Sequence, residues 1–237
     1  MRRMMTMIVP IRHLRNLYDC NADYLTDAEP LEEKIKFVLG DLYNPESSRA
    51  SQFYHQERPE EKDGVTGIYF FESHGLPNHL TIHTWPQEGR AAIDRLQYDS
   101  STDLLRRFME EFQGSYINPK LIPEMMNFGR EVFSHLEDPH HFEKLNSPQR
   151  AIRLLNDVAV DARFSSRESV YSESYSYLSA GSVLTESHFI LHHFKRENHA
   201  IVDIFTCGDE GDPTSGVTEL VRHLNPKNTC YTNPLLR

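Results

Sequence analysis

The chain has 237 residues, 38% of them hydrophobic, and carries 25 Lys and Arg against 35 Asp and Glu for a formal net charge of -10. That length suits one large domain or two small ones, and apolar runs such as "AIVDIF" and "GIYFF" fall far short of the roughly 20 residues that cross a bilayer. An acidic balance with no basic cluster argues against nucleic acid as a partner and suits a cationic small molecule better.

In chain order, "MRRMMTMIVPIRH" lacks the apolar stretch and small-residue cleavage site of a secretion signal. A strand is expected over 11–18, then a helix over 31–42 that opens near Pro30. Alternation in "LTIHTW" marks a further strand, and "TDLLRR" at 102–107 a closing helix. The segment "QGSYINPKLIPEMM", 113–126, reads as a connector because of Gly114, Pro119 and Pro123. The same order then returns: a strand at 129–136, a helix over 149–160 after Pro148, and strands in "YSESYSYLS" and "FILHHF". The last helix carries Val217, Leu220, Val221 and Leu224 as one apolar stripe.

The return extends to individual residues. With His79 placed on His188, "HLTIHTWPQEGRAAID" and "HFILHHFKRENHAIVD" align without a gap at an offset of 109, matching His83 with His192, Glu88 with Glu197, Ala91 with Ala200 and Asp94 with Asp203. Two tandem copies follow, 1–112 and 127–237, each a sheet with helices on one face. Two open sheet faces bury each other most simply in an α+β sandwich of helix, sheet, sheet and helix, with antiparallel-rich sheets.

Reactive groups concentrate in the second copy. In "TESHFILHHFKRENHAIVDIFTCGD", 185–209, Glu186 and Ser187 directly precede His188, His192 follows Ser187 by five and Cys207 follows it by twenty. In the first copy "GLPN" separates Glu72-Ser73-His74 from His79, and Tyr98 stands where Cys207 stands in the second. Chemistry is therefore expected in the second copy. Its segment resembles the processing region of the prokaryotic S-adenosylmethionine decarboxylases, E-S-H-x-[ST]-x-H-T-[WY]-P-E followed by A-x-x-D-x-[FY]-[ST]-C-G. "GVTG" at 64–67 and "HLRNLYDCNADYLTD" at 13–27 are similar to that family too.

The resemblance implies a covalent pyruvoyl cofactor made from Ser187, which would attack the carbonyl of Glu186, with Ser179 and His192 assisting the self-cleavage. The ketone would form a Schiff base with the substrate amine and act as an electron sink, and Cys207 would return a proton to the carbanion. The implied substrate is S-adenosylmethionine, decarboxylated for spermidine synthesis. The family stacks adenine on an aromatic ring, which points to Tyr175 and Tyr177 beside Tyr171, and holds the ribose with a glutamate, for which Glu197 is one position late.

Residues alone leave three further points. His188 and His192 at i, i+4 would suit a metal only on a helix, and "FIL" between them favours a strand, so no metal is expected. The thiols Cys20, Cys207 and Cys230 fit neither a disulfide framework nor a CxxC site, which suggests a cytoplasmic protein. Ser187 and His192 would point to opposite faces of a regular strand, so a turn or strained peptide is expected between them. Arg196 in the place of the family acid keeps open a pyruvoyl-dependent arginine or ornithine decarboxylase, and a non-catalytic regulatory paralogue is the third reading. The fused copies would form an intrachain pseudo-dimer, with further homo-oligomerisation left open.

Overall fold

The computed structural model describes residues 11–18, 20, 23, 25–54, 62–97, 106–107, 110–112, 115–116, 129–185, 187–207, 211–231 and 235–236. The first sheet contains β1 (Ile11–Tyr18), β2 (Ser48–Tyr54), β3 (Lys62–Ser73), β4 (Leu76–Trp85), β5 (Arg90–Gln97) and β6 (Ser115–Tyr116), in the order β2-β3-β4-β5-β1-β6. The second contains β7 (Gly129–Pro139), β8 (Ser166–Glu173), β9 (Tyr177–Leu184), β10 (Ser187–Phe194), β11 (His199–Cys207) and β12 (Pro226–Tyr231), in the order β8-β9-β10-β11-β7-β12, with β13 (Leu235–Leu236) also on β7. Every pairing among the described strands is antiparallel. The protein is α+β, and the second sheet repeats the strand order of the first.

The repeat holds at the level of register. His79 opposes Leu96 and Thr81 opposes Asp94 in the first sheet; His188 opposes Phe205 and Ile190 opposes Asp203 in the second. Where the copies differ is the hairpin before these strands. Ser187 pairs with Leu184 at its hairpin end, whereas its counterpart Asn78 is followed outward by the pairs Glu72–Pro77 and Ser73–Leu76. The first-copy hairpin is thus two pairs longer, and His74 (φ 54) and Gly75 (φ 74) form its turn with both residues left-handed, as a tight two-residue hairpin requires.

Helix α1 (Ala28–Leu39) buries Leu31, Ile35, Val38 and Leu39 in one cluster with Val65, Leu80, Ile82 and Ile93 of the first sheet. It begins ahead of the expected 31; Pro30 lies in its first turn, where backbone N–H groups have no helical partner to lose. Helices α2 (Pro148–Asp161) and α3 (Pro213–Leu224) bury Leu154, Leu155, Val158, Val217, Leu220 and Leu224 with Phe189 and Leu191 of β10. Asp212 caps α3 by accepting from the Thr214 N–H at 3.0 Å. The alternate residues of β10 turn the other way: Ile190 clusters with Ile68 and Phe70 of β3 and with Val170 and Val183. Each such side chain contributes about 1.5–3 kcal/mol on full burial.

One sequence expectation changes. "YSESYSYLS" is not one strand but the end of β8, a turn and the start of β9; Ser174 Oγ accepts from the Ser176 N–H at 3.3 Å, a serine bond to backbone that competes with ladder pairing. Of the expected helix at 102–107 only Arg106 and Arg107 are described, and both are helical; of the connector 113–126 only Ser115 and Tyr116 are, as β6. No helix among the described residues is long and apolar enough to cross a membrane.

Candidate active site

Ser187 opens β10 and is 6% exposed, and its Oγ accepts a hydrogen bond from the backbone N–H of Cys207 at 3.0 Å. Glu186 lies outside the described residues. Cys207 ends β11 opposite Gly129, where a Cβ would stand 2.1 Å from the Thr206 carbonyl oxygen and 2.9 Å from the Cys207 Cα, at a backbone φ of +147. Only glycine permits that approach. Cys207 is partly buried against Ala92, Phe205 and Trp85, so residues from the first copy line its surroundings.

The second-copy pair Ser179 and His192 lies elsewhere. Pairing of β10 with β9 runs unbroken from Ser187–Leu184 to Phe194–Tyr177, so the turn expected between Ser187 and His192 is absent. Five residues of strand separate the two by about 17 Å. Along β10, Phe189 and Leu191 go to the helices, while His188, Ile190 and His192 face the first sheet. Ser179 Oγ is 2.7 Å from His192 Nδ1, and His192 Nε2 is 2.7 Å from His79 Nδ1. Burial, then the neighbouring His79, holds the His192 pKa well below the usual imidazole value, with Asp203 acting in the opposite sense.

The copy relation places the equivalent pair against the Ser187 end. Thr66 Oγ1 is 3.0 Å from His83 Nδ1, and His83 Nε2 is 2.9 Å from Nδ1 of His188, the residue after Ser187. The His83 ring also packs on Phe205 at 4.7 Å and lies 6.3 Å from that of Trp85. Two crossed imidazole pairs therefore join the halves, each with one histidine from each copy. His79 and His192 belong to the Asn78 end; His83 and His188 belong to the Ser187 end. The alignment of His83 with His192 is the sequence signal for this second hydroxyl–imidazole pair.

The S-adenosylmethionine decarboxylase family model matches residues 12–120 and 138–234. The chain belongs to that family. Among its relatives, the S-adenosylmethionine decarboxylase proenzyme of Thermosipho melanesiensis is 31% identical over 98 residues, 41% of this chain and 68% of the relative. The proenzyme 1 of Bacillus cereus is 32% identical over 104 residues, 44% of this chain and 79% of the relative. Each relative thus spans less than half of this chain, which accords with a tandem duplicate. The crystal structure of the adenosylmethionine decarboxylase from Aquifex aeolicus VF5 covers 45% of this chain and 88% of its own, with a TM-score of 0.41 and 20% identity.

The expected substrate residues stand at the far end of the second sheet. Tyr177 pairs with Phe194, the last residue of β10, and its hydroxyl donates to Glu72 Oε2 of the first copy at 2.9 Å. Burial, then the Glu72 carboxylate, pushes its pKa up to about 12. Tyr175 is 84% exposed with the Arg196 guanidinium 5.0 Å from its ring centre, and Glu197 is exposed. None of the three meets Ser187, because eight residues of strand lie between the two ends.

His188 and His192 lie on a strand and have separate partners, so they do not converge as an i, i+4 pair. The buried acids meet instead at the centre: Asp94, Glu131, Asp203 and His188 bring ligand atoms within 4.8 Å of one another. Asp203 reaches one histidine of each crossed pair, His79 Nε2 at 3.3 Å and His188 Nε2 at 3.8 Å.

Proposed function

We propose that this chain is a self-processing, pyruvoyl-dependent S-adenosylmethionine decarboxylase whose single site is split between its two copies. The observation that carries the reading is the Ser187 hydroxyl held by the Cys207 backbone N–H at 3.0 Å, in a chain of this family. The copies are 1–112 and 127–237 with the connector 113–126, stacked as helix, sheet, sheet and helix; the apolar cluster of Ile68, Phe70, Val170, Val183 and Ile190 supports the central contact. Three cysteines outside any disulfide suit a reducing, cytoplasmic setting.

Ser187 is the nucleophile. Its Oγ forms a bond to the carbonyl carbon of Glu186 as the peptide C–N bond breaks, and the hydroxyl proton passes to the freed amine. The Cys207 N–H faces the charge that develops on Oγ, and a hydrogen bond to a charged group contributes about 1.5–3 kcal/mol. A base then removes the α-proton of residue 187, and the Cβ–O bond breaks to release Glu186 as a carboxylate. We assign that base to His83, with Thr66 as its hydroxyl partner, in place of His192 and Ser179. Water replaces the nitrogen, which leaves as ammonia.

The surroundings fit a covalent pyruvoyl group at position 187: a backbone donor points at the reacting side chain, and Phe205, Ala92 and Trp85 give a largely apolar wall. Such a group supplies an electron sink for loss of carbon dioxide from an amino acid. The Cys207 thiol is the acid that returns a proton to the substrate carbon. Arg196 was the ground for a basic amino acid as substrate; it lies exposed over Tyr175 at the end away from Ser187, so it no longer supports that alternative.

Intact mass of the purified protein tests the reading. Fragments of residues 1–186 and 187–237 are expected, the smaller blocked to Edman sequencing, while Ser187→Ala stays whole. A single uncleaved chain with full decarboxylase activity contradicts it.

A further inference from the structure

The geometry points to His188 as a positioning residue that sets the tautomer of His83, so that the copy bearing the nucleophile also orients the base supplied by the other copy. This rests on the reading of Ser187 as the processing serine.

A carboxylate only accepts hydrogen bonds, whereas a neutral imidazole offers one N–H and one lone pair. Asp203 Oδ1 lies 3.8 Å from His188 Nε2, and the acidic groups of Asp94 and Glu131 share the same cluster within 4.8 Å. The Asp203 carboxylate, the acid that stands against that nitrogen, favours a proton on His188 Nε2. His188 Nδ1 is then an acceptor, and the nitrogen 2.9 Å away, His83 Nε2, must donate to it. The remaining nitrogen, His83 Nδ1, keeps its lone pair, accepts from the Thr66 hydroxyl at 3.0 Å, and is the basic atom of the pair. In the opposite tautomer His83 would present N–H toward Thr66, with no lone pair available to take a proton.

Asp203 orders both pairs. Its other oxygen lies 3.3 Å from His79 Nε2, an ion-pair approach without hydrogen-bond alignment, and the same reasoning gives His192 an Nε2–H toward His79 and an Nδ1 that accepts from Ser179. One carboxylate thus fixes the direction of two hydroxyl–imidazole–imidazole chains, of which only the His83 chain lies at the Ser187 end.

A packing role and a positioning role make opposite demands on His188. Its ring stacks on Phe205 with centres 5.8 Å apart at 29°, so His188→Phe keeps an aromatic ring but loses the acceptor, while His188→Asn loses the ring but keeps an oxygen near the place of Nδ1. Self-cleavage of freshly translated full-length chain is followed by gel for both variants. His188→Asn should cleave within about tenfold of the parent and His188→Phe at least about a hundredfold more slowly, as wrong-tautomer effects on hydroxyl–imidazole–carboxylate chains are large. His188→Phe cleaving as fast as His188→Asn overturns the assignment. A separate measurement uses 15N-histidine NMR on the uncleavable Ser187→Ala chain. It should show His83 as the Nε2–H tautomer, with Nδ1–H appearing on the added change His188→Phe; an Nδ1–H His83 before that change overturns the proposal. If the parent chain never cleaves, the processing reading fails by itself and the tautomers still decide the role of His188.

Discussion

The two copies share strand order, register and a hydroxyl–imidazole pair, and differ in what stands at the hairpin end beside it. In the second copy Ser187 closes a short hairpin; in the first, Asn78 holds that place and the hairpin runs two pairs further to a His74–Gly75 turn. Thr66–His83 and Ser179–His192 are near-copies of each other, at 3.0 Å and 2.7 Å. Because β4 and β10 run antiparallel where they face each other, His79 on His192 and His83 on His188, each pair faces the hairpin end of the opposite copy. On the proposed reading the first copy supplies the base to the Ser187 end of the second, while the Ser179–His192 pair faces the Asn78 end of the first.

The largest expected effect concerns the thiol that the first copy lacks. Cys207→Ala should still self-cleave, since the backbone N–H that holds Ser187 remains, but should lose about a hundredfold or more in decarboxylation, the usual size of a lost acid. Measured turnover equal to the parent would make Cys207 a packing residue.

A smaller effect is general to the histidine-rich second copy. Burial lowers the pKa values of His192 and His193, and that of His199 to about 4, from 6.5. These groups fold neutral and charge more readily when unfolded, so their stabilisation is complete above about pH 6.5 and declines as pH falls through the window from 6.5 toward the folded values. Thermal melts between pH 7.5 and 4.5 should show a falling midpoint. A midpoint that rises toward acid would contradict the buried-neutral state of these residues.

The smallest effect is expected at Ser73, whose "ESH" context copies that of Ser187. It pairs with Leu76 beside a tight turn in the extended hairpin, so Ser73→Ala should leave fragment pattern and rate at parental values. A loss of cleavage would mean that the first-copy hairpin takes part in processing.

The duplication and the helices were legible because they rest on local pattern. The histidine, alanine and aspartate matches recur at one offset, Pro148 opens α2 and the Val217–Leu224 stripe is buried on one face of α3. The strand parity of Ser187 and His192 was legible too, yet the expected turn was not there, since the family spacing implied that the two residues meet within one copy. What sequence could not show is that β4 faces β10, which brings residues 105 and 113 positions apart to within 2.9 Å and 2.7 Å. No local signal encodes which copy a side chain will face. Tyr177 shows the same limit: an aromatic at the expected spacing became an inter-copy hydrogen bond to Glu72.

The division of labour between the copies is tested most directly by a matched pair of substitutions. His83→Asn and His192→Asn remove equivalent buried imidazoles, each bonded to a hydroxyl and to a histidine of the other copy, so their folding costs should be alike. Self-cleavage of freshly translated chain is then timed for both. His83→Asn should slow cleavage by about a hundredfold or more, while His192→Asn should stay within about threefold of the parent. The reverse ranking would return the base to the second copy and contradict the split site.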